Sequence, residues 1–192
     1  MERYSRRRLV TSLTSPLHGR EVPDSERSGP RASYFPNVRL RTHEGREVLF
    51  YDDLLHGKVV LITFMFANCD GICPTVTSNL RKVQDLLGER VGRDVFMYSI
   101  TLKPREDTPA ALEHYARMHG IKPGWLFLTG APSDIEVLRR KLGFVELDPV
   151  KDRDLTQHLG VVRFGNEPLD RWGACPAMAR PEEIVKRVQL VE

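Results

Sequence analysis

Residues 58–75 read KVVLITFMFANCDGICPT. Lys58–Phe66 is nearly continuous, apolar and rich in β-branched residues, the pattern of a strand buried on both faces. Pro74 then opens a helical pattern in which Val76, Leu80, Val83 and Leu87 recur at helical spacing and Gly88 stops it. The stretch is therefore a strand, a short loop and a helix. Strand–loop–helix units of this kind build open α/β sheets, whose sites lie at the carboxyl ends of the strands. Two cysteines, Cys69 and Cys73, stand in that position.

Working outward, Val38–Thr42 and Glu47–Tyr51 flank His43-Glu44-Gly45 and read as a β-hairpin. After the helix, Asp94–Leu102 is a second buried strand. Thr108-Pro109 starts the next helix, with proline in its first turn, and Gly120 ends it. Trp125–Thr129 is a short strand. Ser133 with Glu136 has capping-box spacing ahead of Ile135, Leu138 and Leu142. A polar loop carries Asp148–Gln157. His158–Gly165 and Leu169–Gly173 flank Asn166-Glu167-Pro168 as a second hairpin, and Pro181–Val188 closes the chain as a helix. Strands alternating with helices predict a mainly parallel sheet covered on both faces, to which the late hairpin adds antiparallel strands.

The 192 residues suffice for one domain with a substantial core. Residues 1–31 hold seven arginines against four acids, and the remainder balances at 22 of each sign. A neutral folded region argues against nucleic-acid binding through a basic face. Residues 1–33 are rich in Arg, Ser, Pro and Gly without periodicity and read as a flexible basic tail, with the folded domain over 34–192. Ser5-Arg6-Arg7-Arg8 has the charge of an export signal, but no continuous apolar stretch follows it. No run reaches transmembrane length, so no membrane anchor is expected in this chain.

Three cysteines are too few for a disulfide scaffold, and a close pair favours redox or metal chemistry. Cys69 and Cys73 fall one turn apart on one face, so their sulfurs can meet or share a ligand. Cys73 precedes Pro74 and lies at the positive end of the helix, a place that favours thiolate. The spacing of three intervening residues is wider than that of common redox dithiols and is compatible with a disulfide, with a shared metal ion and with two inert thiols. Of the six histidines, His18, His43, His56, His114 and His119 fall in the tail, in turns, or on a helix without pairing. His158 differs, because it opens an apolar strand after a polar loop. Two thiolates with one imidazole suit Cu(I) and accommodate Cu(II). The competing closed zinc site would add Cys175, for which a small buried residue is the simpler reading.

KVVLITFMF, CDGICPT, SITLKPREDTPAALEHY and a lone downstream histidine, in this order, resemble the Sco/SenC family. The resemblance covers roughly residues 35–190 and implies a thioredoxin-like fold with an N-terminal β-hairpin extension and a mixed central sheet flanked by helices. It implies a copper-binding metallochaperone whose ligands are Cys69, Cys73 and His158, with Cys69 and Cys73 also a redox dithiol. The partner would be an apo copper protein such as a cytochrome c oxidase subunit, and the chain a monomer. Thiol–disulfide oxidoreductase activity on a partner's cysteines is the alternative. A periplasmic or membrane-facing location is implied, although the missing signal leaves a cytoplasmic one open. The chain departs from the family where Thr101 follows Ser99-Ile100, a position commonly held by Asp. Asp107-Thr108-Pro109 matches a family hallmark, while its residues alone indicate a helix cap.

Overall fold

The structure, a computed structural model, describes residues 28–69 and 71–192. The basic tail expected over 1–33 lies mostly outside the described residues. Its last part, from residue 28, forms turns against the body in which Ala32 and Phe35 are buried.

One seven-stranded sheet organises the chain in the order β2-β1-β5-β4-β3-β6-β7. Its strands are β1 (Arg39–Thr42), β2 (Glu47–Leu49), β3 (Val59–Met65), β4 (Val95–Thr101), β5 (Trp125–Gly130), β6 (Val161–Asn166) and β7 (Arg171–Pro176). The α-helices are α1 (Cys73–Leu87), α2 (Pro109–Met118), α3 (Pro132–Lys141), the single turn α4 (Pro149–Asp152) and α5 (Pro181–Gln189); a wider helical turn, Phe50–Leu55, ends the first hairpin's second strand at Leu49 rather than Tyr51. Only β3, β4 and β5 run parallel. Each of the two hairpins joins antiparallel, β1 along β5 and β6 along β3. The sheet is thus a parallel core of three strands with an antiparallel hairpin on either side, less parallel than the alternation of elements suggested.

β3 has neighbours on both sides and every residue from Val60 to Met65 is buried, as its unbroken apolar run requires. Phe64, Ile100 and Leu128 stand in one cross-strand row. Phe144, just past α3, packs its ring on Phe64 at 4.7 Å. Phe127 points to the opposite face and meets Tyr115 of α2 at 5.7 Å. Tyr115 in turn shares a 2.8 Å hydroxyl hydrogen bond with Thr77 of α1. Helices therefore cover both faces, the layering of a thioredoxin-like α/β fold.

Local expectations fail where polar side chains take partners other than the sequence pattern suggested. Glu136 does not close a capping box with Ser133. Ala131 occupies the N-cap position of α3 without a side-chain cap, and Glu136 binds Arg139 and Arg140 instead. The polar loop 148–157 contains α4 and a tight turn, Leu155–His158, capped by Asp148 and Asp154, whose carboxylates accept from Val150 N (2.9 Å) and Thr156 N (3.0 Å). His158 ends that turn, and β6 begins three residues later than the apolar pattern placed it.

Candidate metal and dithiol centre

β3 delivers its chain to the carboxyl end of the parallel strands, and α1 starts at Cys73 with Pro74 in its first turn. Proline has no N–H to lose there, and its fixed φ favours the helix. Cys73 is buried and Cys69 half-buried, and both are free thiols. The two thiols are near enough to perturb one another's ionisation. Burial, reinforced by the contact with Cys69, pushes the Cys73 thiol up to about 12. The thiolate expected from its place at the helix start is therefore not its resting state. Desolvation of the charged form outweighs the helix field.

A buried carboxylate supports this loop. Asp107, 2% exposed, accepts a hydrogen bond from Ala67 N at 3.0 Å and another from the Thr101 hydroxyl. It pins the loop leaving β3 to the end of β4. The Asp107-Thr108-Pro109 segment thus does two jobs. Thr108 Oγ1 accepts from Ala111 N at 3.2 Å and caps α2, while Asp107 faces inward. Thr101 is a donor to Asp107. The sequence pattern pointed at this segment, but the cap alone explained it and the carboxylate's role was missed. Asp107, Tyr115, His114, Met118 and Pro74 line a cavity of about 660 Å³ that opens beside Cys69. Burial also raises the Tyr115 hydroxyl, to about 12.

His158 is 2% exposed and its ring is engaged elsewhere. Nε2 lies 2.8 Å from the Asp152 carbonyl and 3.0 Å from Arg139 Nη1. Among the described residues, no three His, Cys, Asp or Glu side chains converge on one point fit for a metal ion. The structure thus brings Cys69 and Cys73 together and leaves the His158 ring outside their pair. The backbone after it is nevertheless close. β6 starts beside the end of β3, where Thr63 Oγ1 donates to Val161 O at 3.1 Å. A Cβ on Gly160 would stand 3.6 Å from Ile72 Cδ1, inside the Cys69–Cys73 loop. Cys175 lies within β7, opposite Val162, with its thiol raised by burial. The described residues gather neither a three-donor set nor the four-donor set with Cys175.

A thioredoxin-like sheet with a dithiol at a strand-to-helix junction defines a class of redox and metal-handling proteins. Within it, the SCO1/SenC family model matches residues 29–189, and the chain belongs to that family. A SCO2-like protein of Rickettsia conorii is 33% identical over 119 residues, covering 60% of this chain and 57% of that one. The chain spans about half the length of the curated relatives it matches. Among solved structures, yeast Sco1 with copper bound superposes with a TM-score of 0.61 at 24% identity, covering 81% of this chain and 92% of that one. BsSco, described as a member of the Sco family of cytochrome c oxidase assembly proteins with a disulfide switch, gives 0.63 at 24%, covering 79% and 89%. At these identities the structural matches establish the fold.

Among the described residues, no helix is long and apolar enough to cross a membrane.

Proposed function

We propose that this chain binds copper through Cys69, Cys73 and His158 and passes it to the apo copper site of a partner such as a cytochrome c oxidase subunit. The observation that carries the reading is the paired thiols at the end of β3, with the His158-bearing segment running against their loop at Gly160 and Ile72. The donor set fits in its chemistry: two thiols of one short loop and an imidazole suit a soft cation. Copper bound in yeast Sco1 supports the same chemistry here. Copper would supply the positive charge that lets a buried thiol such as Cys73 give up its proton, so binding releases protons. Asp107 and the Thr101 hydroxyl would hold the loop in place during capture. Periplasmic or membrane-facing action and a single-chain working form belong to this proposal.

Titrating Cu(I) into the reduced protein, against a chromophoric chelator, tests the assignment. One tightly held copper per chain is expected, weakened strongly in Cys69→Ser, Cys73→Ser and His158→Ala. Equal retention in a cysteine variant would refute it.

A second reading is thiol–disulfide exchange, favoured by the unequal exposure of the two thiols. Cys69 thiolate would attack a partner's disulfide sulfur, forming a mixed disulfide and releasing one partner thiolate. Cys73 sulfur would then attack Cys69 sulfur, releasing the second partner thiol and leaving the 69–73 disulfide. The partner is reduced and this chain oxidised. Exchange that survives His158→Ala unchanged would separate this activity from copper binding.

A further inference from the structure

We propose that Arg139 and Asp152 form a latch that withholds His158 from the two cysteines in the metal-free protein. The inference rests on the copper reading above.

A guanidinium has five N–H donors, and every one on Arg139 is used. Nε donates to Glu136 Oε2 at 2.8 Å and Nη2 to Glu136 Oε1 at 2.8 Å. Nη1 donates to Asp152 Oδ1 at 2.8 Å and to the Phe144 carbonyl at 2.6 Å, and Nη2 donates to Asp152 Oδ2 at 2.9 Å. No hydrogen is left for His158 Nε2, 3.0 Å from Nη1. Nε2 must therefore carry the proton and donate to the Asp152 carbonyl at 2.8 Å. Nε2 is then closed to a metal ion and Nδ1 is the ring's open donor, so it is the placement of the ring, fixed by these contacts, that keeps it from the thiols. The ring joins the thiols only when the segment that carries it lets go.

The network divides into a fixed half and a releasable half. Glu136 and Arg139 both belong to α3, so their two hydrogen bonds survive release and the buried guanidinium keeps a counter-charge. Asp152 belongs to the moving segment, and its Oδ1 also accepts from Glu146 N at 2.9 Å. The first half of that segment has little apolar burial to hold it down: Leu147 is fully exposed and Val150 74% exposed, and only Leu155, further on, packs partly buried against the core. Its two turns carry their own caps, Asp148 and Asp154, and can move as units. Polar contacts to Arg139 are therefore the main restraint on residues 146–154, the signature of a region that opens locally.

Asp152→Asn tests the latch, because it keeps size and shape while weakening the ion pair. In the metal-free reduced protein, hydrogen exchange over 146–158 should speed up. Cu(I) affinity should rise by about tenfold, near the worth of one charge-assisted hydrogen bond, and the gain should vanish in the His158→Ala background. In the unmodified protein, Cu(I) should speed exchange over the same segment as Asp152 leaves Arg139. Unchanged or weaker affinity in Asp152→Asn, a gain that persists without His158, or exchange unaltered by copper would each overturn the latch. Full copper retention in His158→Ala would overturn the copper reading and the latch with it. Loss of copper in His158→Ala with an unchanged Asp152→Asn affinity would overturn the latch alone.

Discussion

At the scale of single residues, the site is set by how each polar group is desolvated. Cys73 is buried and holds its proton up to about pH 12, against 9.0 for an ordinary thiol. The sign follows by linkage. Below pH 9 the thiol is protonated folded or unfolded; between 9 and 12 only the unfolded chain releases the proton, so stability falls as pH rises. Denaturant midpoints measured from pH 8 to 11 should therefore decline, and the decline should be shallower in Cys73→Ala. A buried thiol is also a poor nucleophile. Brief alkylation of the reduced protein at pH 8, read by peptide mass spectrometry, should label the half-buried Cys69 first. Equal labelling of Cys73 would contradict its burial. Asp107 carries the loop in another way. Asp107→Ala removes the acceptor of Ala67 N and of the Thr101 hydroxyl, at a cost of about 1–3 kcal/mol for donors left unpaired. Urea denaturation checks it.

At the scale of elements, the β6–β7 hairpin places the histidine segment beside the dithiol, and its packing depends on two glycines. Gly165 stands opposite Trp172 and Gly173 opposite Phe164. A Cβ on Gly165 would come 2.2 Å from Trp172 Cε3, and one on Gly173 2.5 Å from Phe164 Cε2. Each aromatic ring thus lies over the glycine across from it, filling space where a side chain would stand. Gly165→Ala should destabilise the fold by about 1–3 kcal/mol through overpacking, again read by urea denaturation. A loss well below that would mean the Trp172 ring swings aside freely. The elements also show what the sequence could and could not reveal. β3 and α1 were legible because apolar burial fixes their period. The start of β6 was not: His158 and Leu159 join an apolar run in sequence, but the Asp154 cap winds residues 155–158 into a turn. Arg139 was hidden for a related reason. Arg139-Arg140-Lys141 at a helix end reads as a solvated charged stretch, and only the tertiary return of Asp152 buries the first of the three.

At the scale of the whole molecule, the sheet explains why the fold was readable and the complete site was not. Alternating strands and helices specify the core β3-β4-β5, and turn chemistry specifies the hairpins. Nothing local states that β1 attaches to β5 and β6 to β3, pairings that depend on which edges the helices leave open. The dithiol was legible because both cysteines lie in one loop. His158 was legible as a candidate by its place in the chain, but its ring orientation is decided by α3, a separate element. The molecule therefore presents two neighbouring thiols and an imidazole turned to Arg139 and the Asp152 carbonyl, with the backbone at Gly160 close to Ile72 of the thiol loop. The disulfide between Cys69 and Cys73 would be the oxidised form of the same ligands, and it excludes the metal. Oxidised protein should accordingly bind no copper until it is reduced. The most direct test of the account is the Cu(I) affinity of the reduced protein beside that of His158→Ala. The account predicts one copper per chain in the unmodified protein and a loss of at least about tenfold in the variant, the least that removal of a metal ligand should cost. Equal affinity in the two proteins would contradict it.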